Sequence, residues 1–240
     1  MIERILCPFH KEDTPSLVVY DNGFKCFGCG RAGRLSELGR QDTFGNSSAY
    51  RKPPEDISKT ISYISSLPKE KIRGLDLPSD TDNYYIVWPG NTPYYKRRSR
   101  VTTEEGAKYL CPRGHEKPLF ILNSVSRSKN KLVVVEGEIN AMSVFEACPE
   151  IDVASPGGTN EFFSKKTEKY LQVFKQYENI LVMVDKDGPG IKAAVELKAR
   201  LLQYTPFVTT ILMEKDANEI LTETEGGRQK LREMVMSAWL

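Results

Sequence analysis

Between Lys131 and Met213 four short apolar runs alternate with segments able to form helices, and this pattern constrains the fold more than any other. The runs are "LVVVEG" (132–137), "IDVAS" (151–155), "NILVMVD" (179–185) and "VTTILM" (208–213). They are short, β-branched and apolar at consecutive positions, as strands covered on both faces must be. Strands that recur with helical segments between them predict a parallel sheet packed between helices. The fold class is therefore α/β over this stretch. In such a sheet the functional site lies beyond the carboxyl ends of the strands, which here means Glu136, Ser155 and Asp185.

Acidic residues follow three of the runs. Glu136 ends the first, Asp185-Lys186-Asp187 ends the third, and Asp216 follows the fourth. Hard oxygen ligands gathered at one end of a sheet suit Mg²⁺ or Mn²⁺, which keep several waters and bridge to phosphate. The alternative is capping: Glu138 and Asp187 stand where acidic residues favour the start of a helix. The Gly157-Gly158 pair after the second run allows either a close approach of backbone amides to a phosphate or a tight turn. No G-x-x-x-x-G-K-[ST] segment occurs, so the sequence carries no P-loop.

The front of the chain is organised differently. Cys7-Pro-Phe-His10 and Cys26-Phe-Gly-Cys29 form two chelating pairs separated by fifteen residues. Four N/S ligands complete a closed tetrahedral Zn²⁺ site, which is structural because no position is left open. Zinc then stabilises a piece too small to fold alone. Two strand-like runs flank the turn signal Asp21-Asn22-Gly23. Phe24, Lys25, Phe27, Arg31 and Arg34 interleave aromatic and basic side chains there, fitting either a minimal core with solvated cations or a surface that stacks bases. Cys111 and His115 lack a second ligand pair, so a structural or surface role is expected of them.

Residues 42–54 ("DTFGNSSAYRKPP") are polar and rich in turn formers, and are expected to be a linker. Ile57, Ile61, Ile64 and Leu67 then recur at helical spacing. "NYYIVWPGNTPYYKRRSR" predicts a strand, a turn and a basic strand, and "GGRQKLREMVMSAWL" an amphipathic C-terminal helix. The net charge of +2 over 240 residues hides a division. Residues 1–130 hold 21 Lys/Arg against 15 Asp/Glu, and residues 131–240 hold 13 against 17. A basic front suggests a polyanionic partner and an acidic back a cation site. At 40% hydrophobic and 28% charged residues, disorder is excluded. The longest apolar run, Ile180–Val184, is far short of the ~20 residues a membrane helix needs. The first residues lack the apolar stretch of a signal peptide, so a cytoplasmic location and no membrane partner are expected.

These residues resemble a known family. "LVVVEGEINAMS", "ILVMVDKDGPGIKAA" and "EKDANEIL" resemble the three acidic motifs of the Toprim domain. "CPFHKEDTPSLVVYDNGFKCFGCGRAG" resembles the Cys-His-Cys-Cys zinc ribbon of bacterial and phage DNA primases. "KYLCPRGHEKPLF" is similar to the Lys-Tyr-Leu…Lys-Pro-Leu-Phe segment that precedes Toprim in the primase half of phage primase–helicases. The resemblance implies a small β zinc ribbon at 1–41 and a linker at 42–54. A primase (RNA polymerase) domain at 55–240 would follow, made of a basic α+β subdomain (55–130), a Toprim parallel α/β sheet (131–216) and a C-terminal helix.

It also implies a DNA-directed RNA primase, joining ribonucleoside triphosphates on single-stranded DNA by metal-dependent nucleotidyl transfer. Glu136, Asp185 and Asp187 would be catalytic and, with Asp216, would hold magnesium. Lys96, Arg97, Arg98, Arg100, Lys108 and Lys117 would hold template and nucleotide. The helicase domain of the primase–helicases does not follow in this sequence, so the expectation is either a stand-alone primase working with a replicative helicase in trans or the primase portion of something longer, in a bacterial or phage-infected cell. His10 stands where those primase–helicases use cysteine. The competing reading is a zinc-plus-Toprim recombination or repair mediator that binds DNA without polymerising; a Toprim nuclease or topoisomerase is more distant.

Overall fold

A computed structural model describes residues 3–20, 23–39, 54–90, 92–101, 109–123, 130–158, 167–223 and 225–239. The chain divides into two compact units, Met1–Pro53 and Pro54–Leu240. All but the last residue of the expected linker, and Lys108, lie outside the described residues.

The first unit is an antiparallel sheet of β1 (Glu3–Ile5), β2 (Leu17–Tyr20), β3 (Gly23–Cys26) and β4 (Ala32–Gly33) in sequential order, followed by a 3₁₀ turn at Leu35–Leu38. Its core is Cys7, Leu17, Val19, Phe24, Cys26 and Leu35, with Ile5, Phe9 and Leu38 packed around it. So small a core needs a further constraint to hold.

In the second unit, helix α1 (Ile57–Ser66) opens on Asp56, whose carboxylate accepts the Lys59 N–H at 3.3 Å. The strands β5 (Lys69–Ile72) and β6 (Leu75–Pro78) form a hairpin that the sequence pattern did not reveal. Its two-residue turn is Arg73-Gly74, both left-handed with φ of 53° and 74°. That is the geometry that matches the strand twist, and it puts a non-glycine residue in a region it rarely visits. A second hairpin pairs β7 (Asn83–Val87) with the basic strand β8 (Tyr95–Ser99).

The remaining strands form one five-stranded sheet in the order β13-β12-β10-β11-β9. Here β9 is Phe120–Leu122, β10 Lys131–Val135, β11 Asp152–Ser155, β12 Asn179–Asp185 and β13 Phe207–Met213. Four strands are parallel, as expected; β9 adds an antiparallel edge beside β11 that was too short to recognise in sequence. The helices are α2 (Glu138–Ala147), α3 (Thr167–Phe174), α4 (Gly188–Leu201), α5 (Ala217–Glu223) and the C-terminal α6 (Gly227–Ser237). Alternate residues of each central strand feed opposite cores. Val133, Val135, Leu181 and Met183 pack with α2, α5 and α6, while Leu132, Val134, Ile180, Val182 and Val184 pack with α3 and α4. The chain leaves β10 for β11 on one side, then returns to β12 on the other. The carboxyl ends of β10 and β12 therefore flank the point where the winding reverses, which is where a crevice opens in such sheets.

A candidate metal and nucleotide site at the sheet's carboxyl end

Glu136 and Asp185 stand at that crevice because β10 and β12 are in register, Val135 opposite Met183. One oxygen of Glu136 accepts the backbone N–H of Asp185 at 3.2 Å. The Glu136 carbonyl is held from the other side by the Ser155 hydroxyl at 2.9 Å. Asp187 caps α4, accepting the Gly190 N–H at 2.6 Å, and Asp216 accepts the Glu219 N–H at 2.9 Å in the first turn of α5. Capping and a place near the crevice thus coexist in Asp187. A Cβ on Gly190 would lie 2.2 Å from the Asp185 carbonyl, 2.9 Å from Asp187 Oδ1 and 3.0 Å from Glu136 Oε1. Only glycine lets the first turn of α4 close against the strand ends.

The electrostatics at Asp185 are repulsive. Burial, then the negative charges of Glu136, Asp216 and Asp187, push the Asp185 carboxyl up to about 6. Its Oδ1 is buried and has no hydrogen-bond partner. An orphaned carboxylate oxygen among other carboxylates suits a hard divalent cation. The acidic oxygens do not draw together into one coordination sphere as the Cys/His four do.

The five expected basic residues that lie among the described residues are placed unequally. Lys96 is buried and donates to both oxygens of Glu138, at 2.7 Å each, tying β8 to the first turn of α2. Lys117 donates to the Gly157 carbonyl at 3.3 Å. Gly157 has φ 91°, and a Cβ there would meet both the Lys117 ammonium at 2.5 Å and Glu138 Oε1 at 2.6 Å. The Gly-Gly pair is thus a left-handed turn that two charged side chains approach closely. Arg98 donates to the Tyr109 hydroxyl at 3.2 Å and lies over the rings of Tyr109 and Tyr84, at 5.3 and 5.9 Å. Arg100 is bound to Glu70 at 2.6 Å and to the Asp80 carbonyl at 2.9 Å. Arg97 is exposed and enters no ion pair among the described residues. Glu138 was legible only as a helix-start acid; its partnership with Lys96 joins residues 42 apart in sequence.

In the first unit the ligand atoms of Cys7, His10, Cys26 and Cys29 all lie within 4.8 Å of one another. Cys7 Sγ is 3.9 Å from Cys29 Sγ, and Cys26 Sγ 3.8 Å from His10 Nδ1. Zn–S bonds of about 2.3 Å set tetrahedrally give S···S edges of about 3.8 Å, so the four fit a structural zinc. Burial alone would raise the Cys26 thiol, but the Ser16 hydroxyl and the Cys29 and Gly28 backbone outweigh it, leaving it lowered to about 6. Phe24 is in the core, stacked on Phe9 at 5.4 Å, whereas Phe27 is 61% exposed with Lys25 over its ring at 5.4 Å. His115 donates from Nε2 to the Glu55 carbonyl at 2.8 Å, a structural contact.

Residues 133–221 match the family described as Toprim-like, and residues 4–45 match the CHC2 zinc finger. A DNA helicase/primase of Enterobacteria phage T3 is 35% identical over 123 residues, 50% of this chain and 21% of that protein. The likeness is to DNA primases. A DNA primase of Aquifex aeolicus is 34% identical over 115 residues, 46% of this chain and 20% of that protein. The match thus spans about a fifth of the length of these relatives.

Two solved structures share the fold. The Aquifex aeolicus primase structure with zinc-binding and RNA polymerase domains has a TM-score of 0.51 at 19% identity, covering 98% of this chain and 78% of its own. The primase fragment of the Bacteriophage T7 primase-helicase protein has a TM-score of 0.53 at 18% identity, covering 96% and 97%. The chain thus shares its fold with these two primase structures. No helix among the described residues is long and apolar enough to cross a membrane.

Proposed function

We propose that this chain is a DNA-directed RNA primase unit that joins ribonucleoside triphosphates on single-stranded DNA. The observation that carries this reading is the buried, raised carboxyl of Asp185 among the carboxylates of Glu136, Asp187 and Asp216 at the β10/β12 crevice, in a fold shared with two primase structures. In this reading Glu136, Asp185, Asp187 and Asp216 hold divalent cations, Mg²⁺ or Mn²⁺. When bound, such ions neutralise charge on the transferring phosphoryl group and favour ionisation of the attacking hydroxyl. The protein supplies placement. Ser155 and the Asp185 N–H fix Glu136, and Asp187 is fixed by α4. Lys117 and Arg97, with Lys108, hold phosphates of nucleotide or template; Lys96 and Arg98 shape the basic wall from their tethered positions, and Arg100 closes it. No side-chain nucleophile is needed, because the substrate's 3′-hydroxyl attacks the α-phosphate of the next triphosphate, whose bond to the β-phosphate breaks to release pyrophosphate.

The domain reading extends from this: a zinc ribbon at 1–41 that helps hold template, with Phe27 and Lys25 as its exposed stacking surface, a linker at 42–54, and the polymerising portion at 55–240. Work at a replication fork implies association with a replicative helicase and a cytoplasmic location. The test is synthesis of short oligoribonucleotides on single-stranded DNA templates covering every initiating triplet, with Mg²⁺ or Mn²⁺. Ribonucleotide incorporation that is lost in Asp185→Ala and Asp187→Ala is expected. DNA binding with no incorporation under either metal would overturn the primase reading in favour of a non-polymerising mediator.

A further inference from the structure

Beside the zinc ligands sits a carboxylate that spacing did not single out. Glu12 Oε1 accepts the backbone N–H of Cys7 at 2.7 Å and of Ser16 at 3.0 Å. Glu12 Oε2 accepts the Ser16 hydroxyl and lies 3.0 Å from His10 Nε2. The Ser16 oxygen is in turn 3.1 Å from Cys26 Sγ. One side chain thereby reaches three of the four ligands: His10 directly, Cys7 through its amide, and Cys26 through Ser16. The imidazole has a single orientation in this network, with Nδ1 toward Cys26 Sγ and Nε2 toward Glu12. Gly28 makes room for it, since a Cβ there would fall 2.7 Å from both His10 Nε2 and Ser16 Oγ.

A neutral imidazole has one N–H and one lone pair, and the partner of one nitrogen decides which of them faces the metal. A carboxylate can only accept, so at Nε2 it demands the N–H and leaves the lone pair on Nδ1. We propose that Glu12 is a positioning residue for zinc: it holds His10 in the tautomer that ligates through Nδ1, and so sets the affinity of the ribbon for the metal. This role depends on zinc alone and stands whether or not the chain polymerises nucleotides.

Glu12→Gln is the discriminating variant. Its amide oxygen can still accept the Cys7 and Ser16 amides, but its NH₂ then faces Nε2, donor against donor. Zinc affinity of the full chain, measured by competition with a chromophoric chelator, is expected to fall roughly 10–100-fold. In a His10→Cys background there is no imidazole to orient, and the same substitution is expected to change affinity by no more than about two- to threefold. An equal loss in both backgrounds, or no loss in the parent, would overturn the proposal and leave Glu12 a backbone brace. A measurement that needs no variant is ¹⁵N NMR of the zinc-loaded parent chain. A metal-bound Nδ1 with a protonated Nε2 is expected, and a metal-bound Nε2 would overturn the proposal.

Discussion

At the scale of single residues, Asp185 and Lys96 show opposite ways of keeping a charge out of water. Among the described residues Asp185 enters no ion pair, and its carboxyl is raised from 3.8 to about 6. A carboxyl raised on folding is bound to its proton more tightly in the native state, so folding stability falls as pH rises from about 4 to about 6 and stays lower above that. Asp185→Asn should therefore raise the thermal midpoint at pH 7.5 without added divalent cation. After allowing for partial solvent screening the gain is about 1–2 kcal/mol, while priming is lost. If the ionised form of Asp185 holds a cation, protons compete with it, so the divalent-cation concentration needed for half-maximal priming should rise as pH falls through about 6, which cation titrations at several pH values check. Lys96, by contrast, is paired within a buried contact to Glu138. Lys96→Met alone leaves a buried carboxylate unpaired and should cost about 3–5 kcal/mol in denaturant unfolding, whereas Lys96→Met with Glu138→Leu should cost much less. Equal costs would show that the pair is not what secures β8 against α2.

At the scale of elements, the strand–helix junctions decide the site. Glu136, Asp185, Asp187 and Asp216 were legible because each ends an apolar run or lies within three residues of its end. The direction in which they converge follows from parallel pairing, which consecutive apolar positions already demanded. What the runs could not show is how closely α4 presses on the strand ends. Gly190→Ala forces either the helix start or the carboxylates to move by several tenths of an ångström or more. Priming should fall at least tenfold while the far-UV circular dichroism stays that of the parent, because the displaced groups are the proposed cation ligands rather than core side chains. The basic strand β8 shows the converse. Lys96, Arg97 and Arg98 of β8 and Arg100 just beyond it were visible as a cluster, but the tethers of Lys96, Arg98 and Arg100 to Glu138, Tyr109 and Glu70 come from three separate segments, so spacing could not rank them.

At the scale of the whole molecule, the two units differ in what holds them. Two of the six buried residues in the ribbon's core, Cys7 and Cys26, are metal ligands, whereas the second unit has two apolar cores, one on each face of its sheet. Stripping zinc with a chelator should abolish amide hydrogen-exchange protection across residues 3–39 and leave that of β10 and β12 unchanged. Loss of protection in both units would mean that the second depends on the first. The sequence by itself determined the metal tetrad, the parallel strands and the acidic residues at their ends, because each rests on local spacing or on the period of apolar residues. Only the tertiary structure decided that Glu12 serves His10, that Glu138 neutralises Lys96, that β9 closes the sheet edge and that Asp185 enters no ion pair among the described residues. Those outcomes depend on which distant side chains share a low-dielectric space, and local spacing carries no record of that.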